Sequence, residues 1–223
     1  MRQIEFPTYK ELLKDKRILY YIERADYFLE RMGYTVHGLS HVGWVAKKAR
    51  ELLLLTTGDQ RLAELAGIAG LLHDIGNIVG RHDHAQSGAL LAYQLLKNKG
   101  FLDDDLTEIT FAIGNHEEGT GEPATEVAAA LVVADKSHVH RSRVRSFKTI
   151  YEDIHDRVNY AVLHSNLEVD RENKVIRLVL KIDTEISDLL DYFSIFQPRM
   201  QMCRRASKVL GYNFRMKVNG KDL

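Results

Sequence analysis

Ten histidines are spread through the 223 residues, and several stand beside acidic side chains. His73 precedes Asp74, His82 and His84 bracket Asp83, and His116 precedes Glu117 and Glu118. His41 lies just ahead of an apolar helical repeat. Asp135 follows Leu131, Val132, Val133 and Ala134 in a segment that reads as buried. A carboxylate in such a setting is costly unless a cation or hydrogen bonds compensate it. Imidazole nitrogens and carboxylate oxygens together suit a borderline or hard divalent cation, with Mn, Fe, Co, Ni, Mg and Zn all compatible. Cys203 is the single cysteine, so neither a thiolate zinc site nor an intrachain disulfide can form. Adjacent side chains on a helix diverge by about 100°. His73 and Asp74 can still converge on one ion where a helix loosens ahead of Gly76, provided that other helices of a bundle supply further ligands.

Hydrophobic spacing predicts the elements that must do this. A long helix runs over Thr8–Met32 and ends at Gly33; a second covers Ser40–Thr56, with Val42, Val45, Ala46, Ala49, Leu52 and Leu53 at helical intervals and Gly58 as its stop. Asp59 is placed to cap a third helix through Leu72. The polar stretch Gly76–Asp83 reads as a loop, and Asp83 with Gln86 resembles a capping box opening a fourth helix that ends near Gly100. Asp103, Asp104 and Asp105 open a fifth, through Ile113, and a sixth spans Ala124–His138. Ile150–Leu163 reads as helical. Ser165–Asp170 and Lys174–Ile182 alternate apolar and polar residues around Glu172-Asn173, a hairpin signal. A last amphipathic helix covers Thr184–Leu210, interrupted at Pro198. The expected fold class is all-α: a helical bundle with a small C-terminal β-hairpin and a final long helix. Residues 1–163 form the helical domain, and residues 164–223 form a hairpin-helix appendage packed on it.

Composition bounds the role. Apolar residues make up 45%, enough for a full core, and 31 basic side chains balance 31 acidic ones. That balance argues against a surface built as an electrostatic trap for nucleic acid or anionic membrane. The apolar runs Leu52–Leu55 and Ala128–Ala134 are too short to span a bilayer, and Met1–Pro7 has no leader pattern, so a cytoplasmic protein is expected. Phe193, Phe196, Met200 and Met202 on the last helix suggest a homodimer.

His41, the pair His73-Asp74 in LLHDIGN and Asp135 in VVADKS together resemble the HD superfamily of metal-dependent phosphohydrolases. The surrounding stretches SHVGWVAKKARELL, LAGIAGLLHDIG and HAQSGALLAYQLL are similar to successive helices of that family, over Ser40–Arg145. The resemblance implies that His41, His73, Asp74 and Asp135 ligate one divalent ion. In some branches the HD aspartate bridges to a second ion, whose further ligands match His84 and His116 here. The chain departs from those branches at Asn115, where they carry the leading histidine of a pair, and at Asn77, where a lysine is frequent.

Within that resemblance the expected activity is hydrolysis of a phosphate monoester or phosphodiester by metal-activated water, on a nucleotide or related small phosphorylated metabolite. Asp74 is the candidate to orient the water and take its proton. Lys136, Arg141 and Arg145 are the candidate partners of the phosphoryl oxygens, with Arg141 and Arg145 sharing a face if the helix continues through them. Arg81 is a further candidate in the loop after the HD pair, and His84, in the first turn of a helix, should lose proton affinity to the dipole. Two other classes stand beside this reading: a metal-binding regulatory module without turnover, and a di-iron oxygenase-like protein. No specific nucleic-acid partner is expected, since HRSRVRSFK beside a metal site is better matched to a small phosphorylated substrate.

Overall fold

The computed structural model describes residues 6–223; residues 1–5, part of the N-terminal stretch read for a leader, lie outside the described residues. The first helical stretch divides in two. A capping box between Thr8 and Glu11 starts α1 (Tyr9–Leu12), and Asp15 then accepts from the amides of Arg17 and Ile18 to start α2 (Lys16–Arg31). The single helix expected over Thr8–Met32 is therefore broken, because the Asp15 carboxylate satisfies the amides of a new first turn. α2 buries Ile18, Ile22, Ala25 and Leu29.

α3 (Leu39–Thr57) ends at Gly58 with φ 78°, and α4 (Gln60–Leu72) starts on the Asp59 cap. Every residue of α4 from Ala63 to Leu72 is buried, which makes it the central helix. It crosses α3 closely: a Cβ on Gly70 would stand 2.8 Å from the Ala46 Cα. A 3₁₀ turn at Ile75–Ile78 follows, then α5 (His84–Leu96), α6 (Asp103–Gly114) and α7 (Glu126–Ser137). The expected capping box at the start of α5 does not form. Asp83 has φ 54° and makes no side-chain cap, while Gln86 donates to the Gly114 carbonyl at 3.2 Å. α7 buries everything from Val127 to Ala134.

α8 (Ile154–Ala161) is shorter than expected and passes at once into β1 (Val162–Asp170), which pairs antiparallel with β2 (Val175–Ile182) in the anticipated hairpin. α9 (Leu189–Val209) starts later than Thr184, on an Asp188 cap, and runs through Pro198 without interruption. Two strands beyond it were not expected. β3 (Asn213–Val218) lies parallel to β2, with Ile176 opposite Phe214 and Leu178 opposite Met216. β4 (Lys221–Asp222) closes the sheet in the order β1-β2-β3-β4. A parallel pair needs a crossover, and α9 provides it. Its inner face, including Tyr192, Phe196, Met202 and Cys203, is buried in the same apolar cluster as α7. Phe196 and Met202 are thus packed within the chain rather than presented to a second copy. No helix among the described residues is long and apolar enough to cross a membrane.

Candidate metal centre

Three helices deliver four donors to one point. His41 stands near the start of α3, His73 caps the end of α4, Asp74 opens the 3₁₀ turn, and Asp135 lies in α7. His41 Nε2 is 3.3 Å from His73 Nε2, 3.4 Å from Asp74 Oδ2 and 3.3 Å from Asp135 Oδ1. His73 Nε2 is 3.1 Å from Asp74 Oδ2 and 3.4 Å from Asp135 Oδ1. Bonds of about 2.0–2.2 Å to a common divalent ion hold neighbouring donors roughly 3.0–3.5 Å apart, the spacing seen here. Both histidines are fully buried, and Asp74 Oδ2 is buried without a hydrogen-bond partner. An orphaned carboxylate oxygen among imidazole nitrogens is satisfied by a cation, so the donor set fits the implied metal.

The hydrogen bonds behind the rings set the tautomers. His73 Nδ1 donates to the Gly70 carbonyl at 2.8 Å, His84 Nδ1 to the Arg81 carbonyl at 3.1 Å, and His116 Nδ1 to the Ile113 carbonyl at 2.6 Å. A carbonyl only accepts, so each neutral ring turns an unprotonated Nε2 inward. His41 is held by His138, whose Nδ1 lies 2.8 Å from the His41 Nδ1 and whose ring is stacked between His41 and Trp44. Arg143 closes this side, with Nη1 2.7 Å from the same His41 nitrogen and Nη2 3.0 Å from His37 Nε2.

Burial opposes ionisation of Asp74, but His73 and His37 outweigh it, and the carboxyl is held well below the usual range. Asp135 is likewise held down against its burial, by Lys136 and His73. Burial would also lower His73, yet the two carboxylates prevail and lift it to about 10. Without a metal, a proton on His73 therefore takes the cation's electrostatic place. His84 and His116 are lowered, by burial first and then by nearby cations, and remain neutral imidazoles. Their Nε2 atoms face each other at 3.2 Å on the far side of Asp74, where Asp74 Oδ1 is 3.7 Å from His84 Nε2. The residues matched to a second ion are thus gathered beside the first four.

The basic partners differ from expectation. Lys136 is at the site, buried, with Nζ 2.9 Å from Asp135 Oδ2 and 2.7 Å from Glu118 Oε2. Arg141 and Arg145 are not. α7 ends at Ser137, and the chain leaves it through His138 at ψ 74°, so no helical face joins the two arginines. Arg141 donates to the Tyr160 carbonyl and lies over the Tyr160 ring, while Arg145 grips Asp26 and the Tyr34 carbonyl. Arg143 and Arg199 stand there instead, beside Arg81 as expected, and line with Lys136 the small cleft over the donor cluster. Arg199 belongs to α9 and donates to Glu118 Oε1 at 3.0 Å. Its signal was in the sequence: it lies seven residues after Tyr192 and three after Phe196, an inward position that a basic residue occupies only with a partner. A larger cavity of about 360 Å³ shares His37, Arg81, Arg143 and Arg199 with the cleft and extends to Tyr34, Asp153 and Asn159.

The family model described as HD domain matches residues 38–139. The chain is 30% identical over 173 residues to an uncharacterized protein of Methanocaldococcus jannaschii, a match covering 66% of this chain and 65% of that protein's length. It is also similar, at 29% identity, to the crystal structure of a "predicted HD superfamily hydrolase" from an uncultured Thermotogales bacterium. That match covers 56% of this chain and 68% of the other, with a TM-score of 0.43.

Proposed function

This chain belongs to the HD-domain superfamily, and on that premise we propose that it is a metal-dependent phosphohydrolase acting on a phosphate monoester or phosphodiester, a nucleotide or similar small phosphorylated metabolite. The observation that carries the reading is the charge around the donor cluster. Asp74, Asp135, Glu117 and Glu118 face Arg81, Lys136, Arg143 and Arg199 in one cleft, so fixed charges cancel with the imidazoles neutral. Adding a divalent ion leaves an excess of about two positive charges, the complement of a phosphate monoester dianion. The adjoining cavity of about 360 Å³ has room for the rest of a small metabolite, with Tyr34, Phe196, Asp153 and Asn159 among its lining residues.

His41, His73, Asp74 and Asp135 would hold the ion, which when bound supplies Lewis acidity and lowers the pKa of water. Asp74, buried and kept ionised, is the candidate to orient the attacking water from beside the ion. Lys136, Arg143 and Arg199 are placed to hold phosphoryl oxygens as charge shifts toward the leaving group. Glu118 fixes two of these cations, bonding Lys136 through one oxygen and Arg199 through the other.

The test is phosphate release by chelator-stripped protein reloaded in turn with Mn, Fe, Co, Ni, Mg and Zn, against nucleotides and generic phosphoesters. Turnover with at least one metal, lost on Asp74→Ala, is the expected result. Metal binding without turnover on any ester would replace the hydrolase with a regulatory module.

A further inference from the structure

We infer that Glu117 is a metal ligand and that it completes, with Asp74, His84 and His116, a second cation site richer in carboxylate than a histidine pair would make it. The reasoning starts from two lone pairs. His84 and His116 both commit Nδ1–H to backbone carbonyls, so their Nε2 lone pairs point at each other across 3.2 Å. No proton stands between two neutral imidazoles so arranged, and the contact is repulsive until a cation enters. Asp74 reaches the same point with Oδ1, while its Oδ2 serves the first cluster, so one carboxylate spans both positions.

Glu117 supplies the fourth donor. Its Oε2 is 3.2 Å from His84 Nε2, is buried, and has no hydrogen-bond partner. A carboxylate oxygen and an unprotonated imidazole nitrogen at that distance are again two acceptors facing each other with no proton between them. The loop explains why residue 117, and not residue 115, faces inward. Asn115 ends α6 with its side chain occupied: Nδ2 donates to the Phe111 carbonyl at 3.0 Å, and Oδ1 accepts from the Glu122 amide at 3.2 Å. The loop then closes so tightly that a Cβ on Gly121 would overlap the Asn115 carbonyl. Asn115 therefore ties the loop, and His116 and Glu117 are the residues left to face Asp74.

Arg81 is the competing cation. Its Nη1 lies 3.3 Å from His84 Nε2, but its Nη2 stays 3.9 Å from Glu117 Oε2, beyond hydrogen-bond reach. One guanidinium so placed serves His84 and leaves Glu117 Oε2 unbonded, whereas a small ion contacts every donor at once. Two neutral imidazoles and two carboxylates suit Mn, Fe, Co or Mg ahead of the softer metals.

The count of bound ions tests this independently of whether any phosphoester is hydrolysed. Chelator-stripped full-length protein is titrated with Mn²⁺ by equilibrium dialysis, with electron paramagnetic resonance of the loaded sample and circular dichroism as a fold control. Wild type is expected to bind two ions per chain and to show the exchange-coupled signal of a bridged pair. Glu117→Gln should keep one ion, lose the coupled signal and bind the second at least about tenfold more weakly. Glu117→His should recover the second ion, and Arg81→Ala should tighten it by removing a like charge. One ion in wild type, or two in Glu117→Gln with unchanged affinity, overturns the proposal. So does a wild type that binds one ion while Arg81→Ala binds two, since the guanidinium then holds the position.

Discussion

Arg199 Nε donates to Glu118 Oε1 at 3.0 Å, joining the C-terminal helix α9 to the loop that also carries His116. The other Glu118 oxygen holds Lys136, which in turn contacts Asp135. The cation that α9 contributes is therefore three contacts from Asp135, through Glu118 and Lys136. Arg199→Ala is expected to lower kcat on a responsive phosphoester by about a hundredfold or more, the scale for losing one positioned charge at a transferring group. Metal content should be unchanged, which separates a phosphoryl partner from a ligand. A variant with wild-type kcat removes Arg199 from the reaction.

Arg141 and Arg145 should behave differently from Arg199 although they follow Asp135 closely in sequence. Arg141→Ala is expected to leave kcat unchanged, because its guanidinium is placed on Tyr160. Arg145→Ala breaks the link to Asp26 on α2 and to the Tyr34 and Thr35 carbonyls. It should cost about 1–3 kcal/mol of stability by chemical denaturation, with kcat retained in the folded fraction.

Asp74→Ala should abolish retention of the metal and all activity while far-UV circular dichroism stays close to wild type. The side chain sits at a helix junction and caps no backbone amide of the following turn, accepting there only from Asn77 Nδ2 at 3.2 Å. In wild type, adding Mn²⁺ to stripped protein should raise Tm in a concentration-dependent way, since an ion that binds only the folded chain stabilises it by mass action. A comparable rise in Asp74→Ala would place the ion elsewhere.

Gly76→Ala probes how the two donor sets are kept in register. A Cβ there would overlap the His84 carbonyl oxygen and the Gly88 amide, both backbone atoms of α5 that cannot turn aside. Overpacking of this kind costs about 1–3 kcal/mol or more. The movement it forces separates Asp74 from His84, so ion binding should weaken along with the denaturation midpoint. Unchanged stability and metal content would show that α5 can shift freely.

Acid should reveal the Glu118 network. Burial raises this carboxyl, but Lys136 and Arg199 outweigh it and hold it at about 2. That lies below the value of about 4.3 for an unfolded chain, so ionised Glu118 stabilises the fold above that value and loses its contribution as pH falls toward its folded value. The difference in unfolding free energy between wild type and Glu118→Gln is expected to be constant above about pH 5 and to shrink between about pH 4 and 2. A gap that persists undiminished to the acid end would assign the stabilisation to something other than this charge.

Sequence by itself determined the helical frame and the four donors. Apolar residues at helical intervals specify α3, α4 and α7, and His41, His73, Asp74 and Asp135 lie at their ends or within them. These are local signals, carried by period and by one short word around His73-Asp74. Asp15 has a capping side chain, but the apolar period continues across it and hides the break between α1 and α2. Phe214, Met216 and Val218 alternate along β3, which was not expected, and nothing local says that this segment pairs with β2. Tertiary structure alone decided which cations surround the donors. Arg141 and Arg145 are close to Asp135 along the chain and turned away from it, because α7 stops at Ser137. Arg199 is sixty-four positions distant and lines the same cleft as Asp135, because α9 crosses back over α7 to connect two parallel strands. Proximity along the chain fixes a side chain's direction only while one helix continues; once it ends, packing between distant elements sets which charges meet.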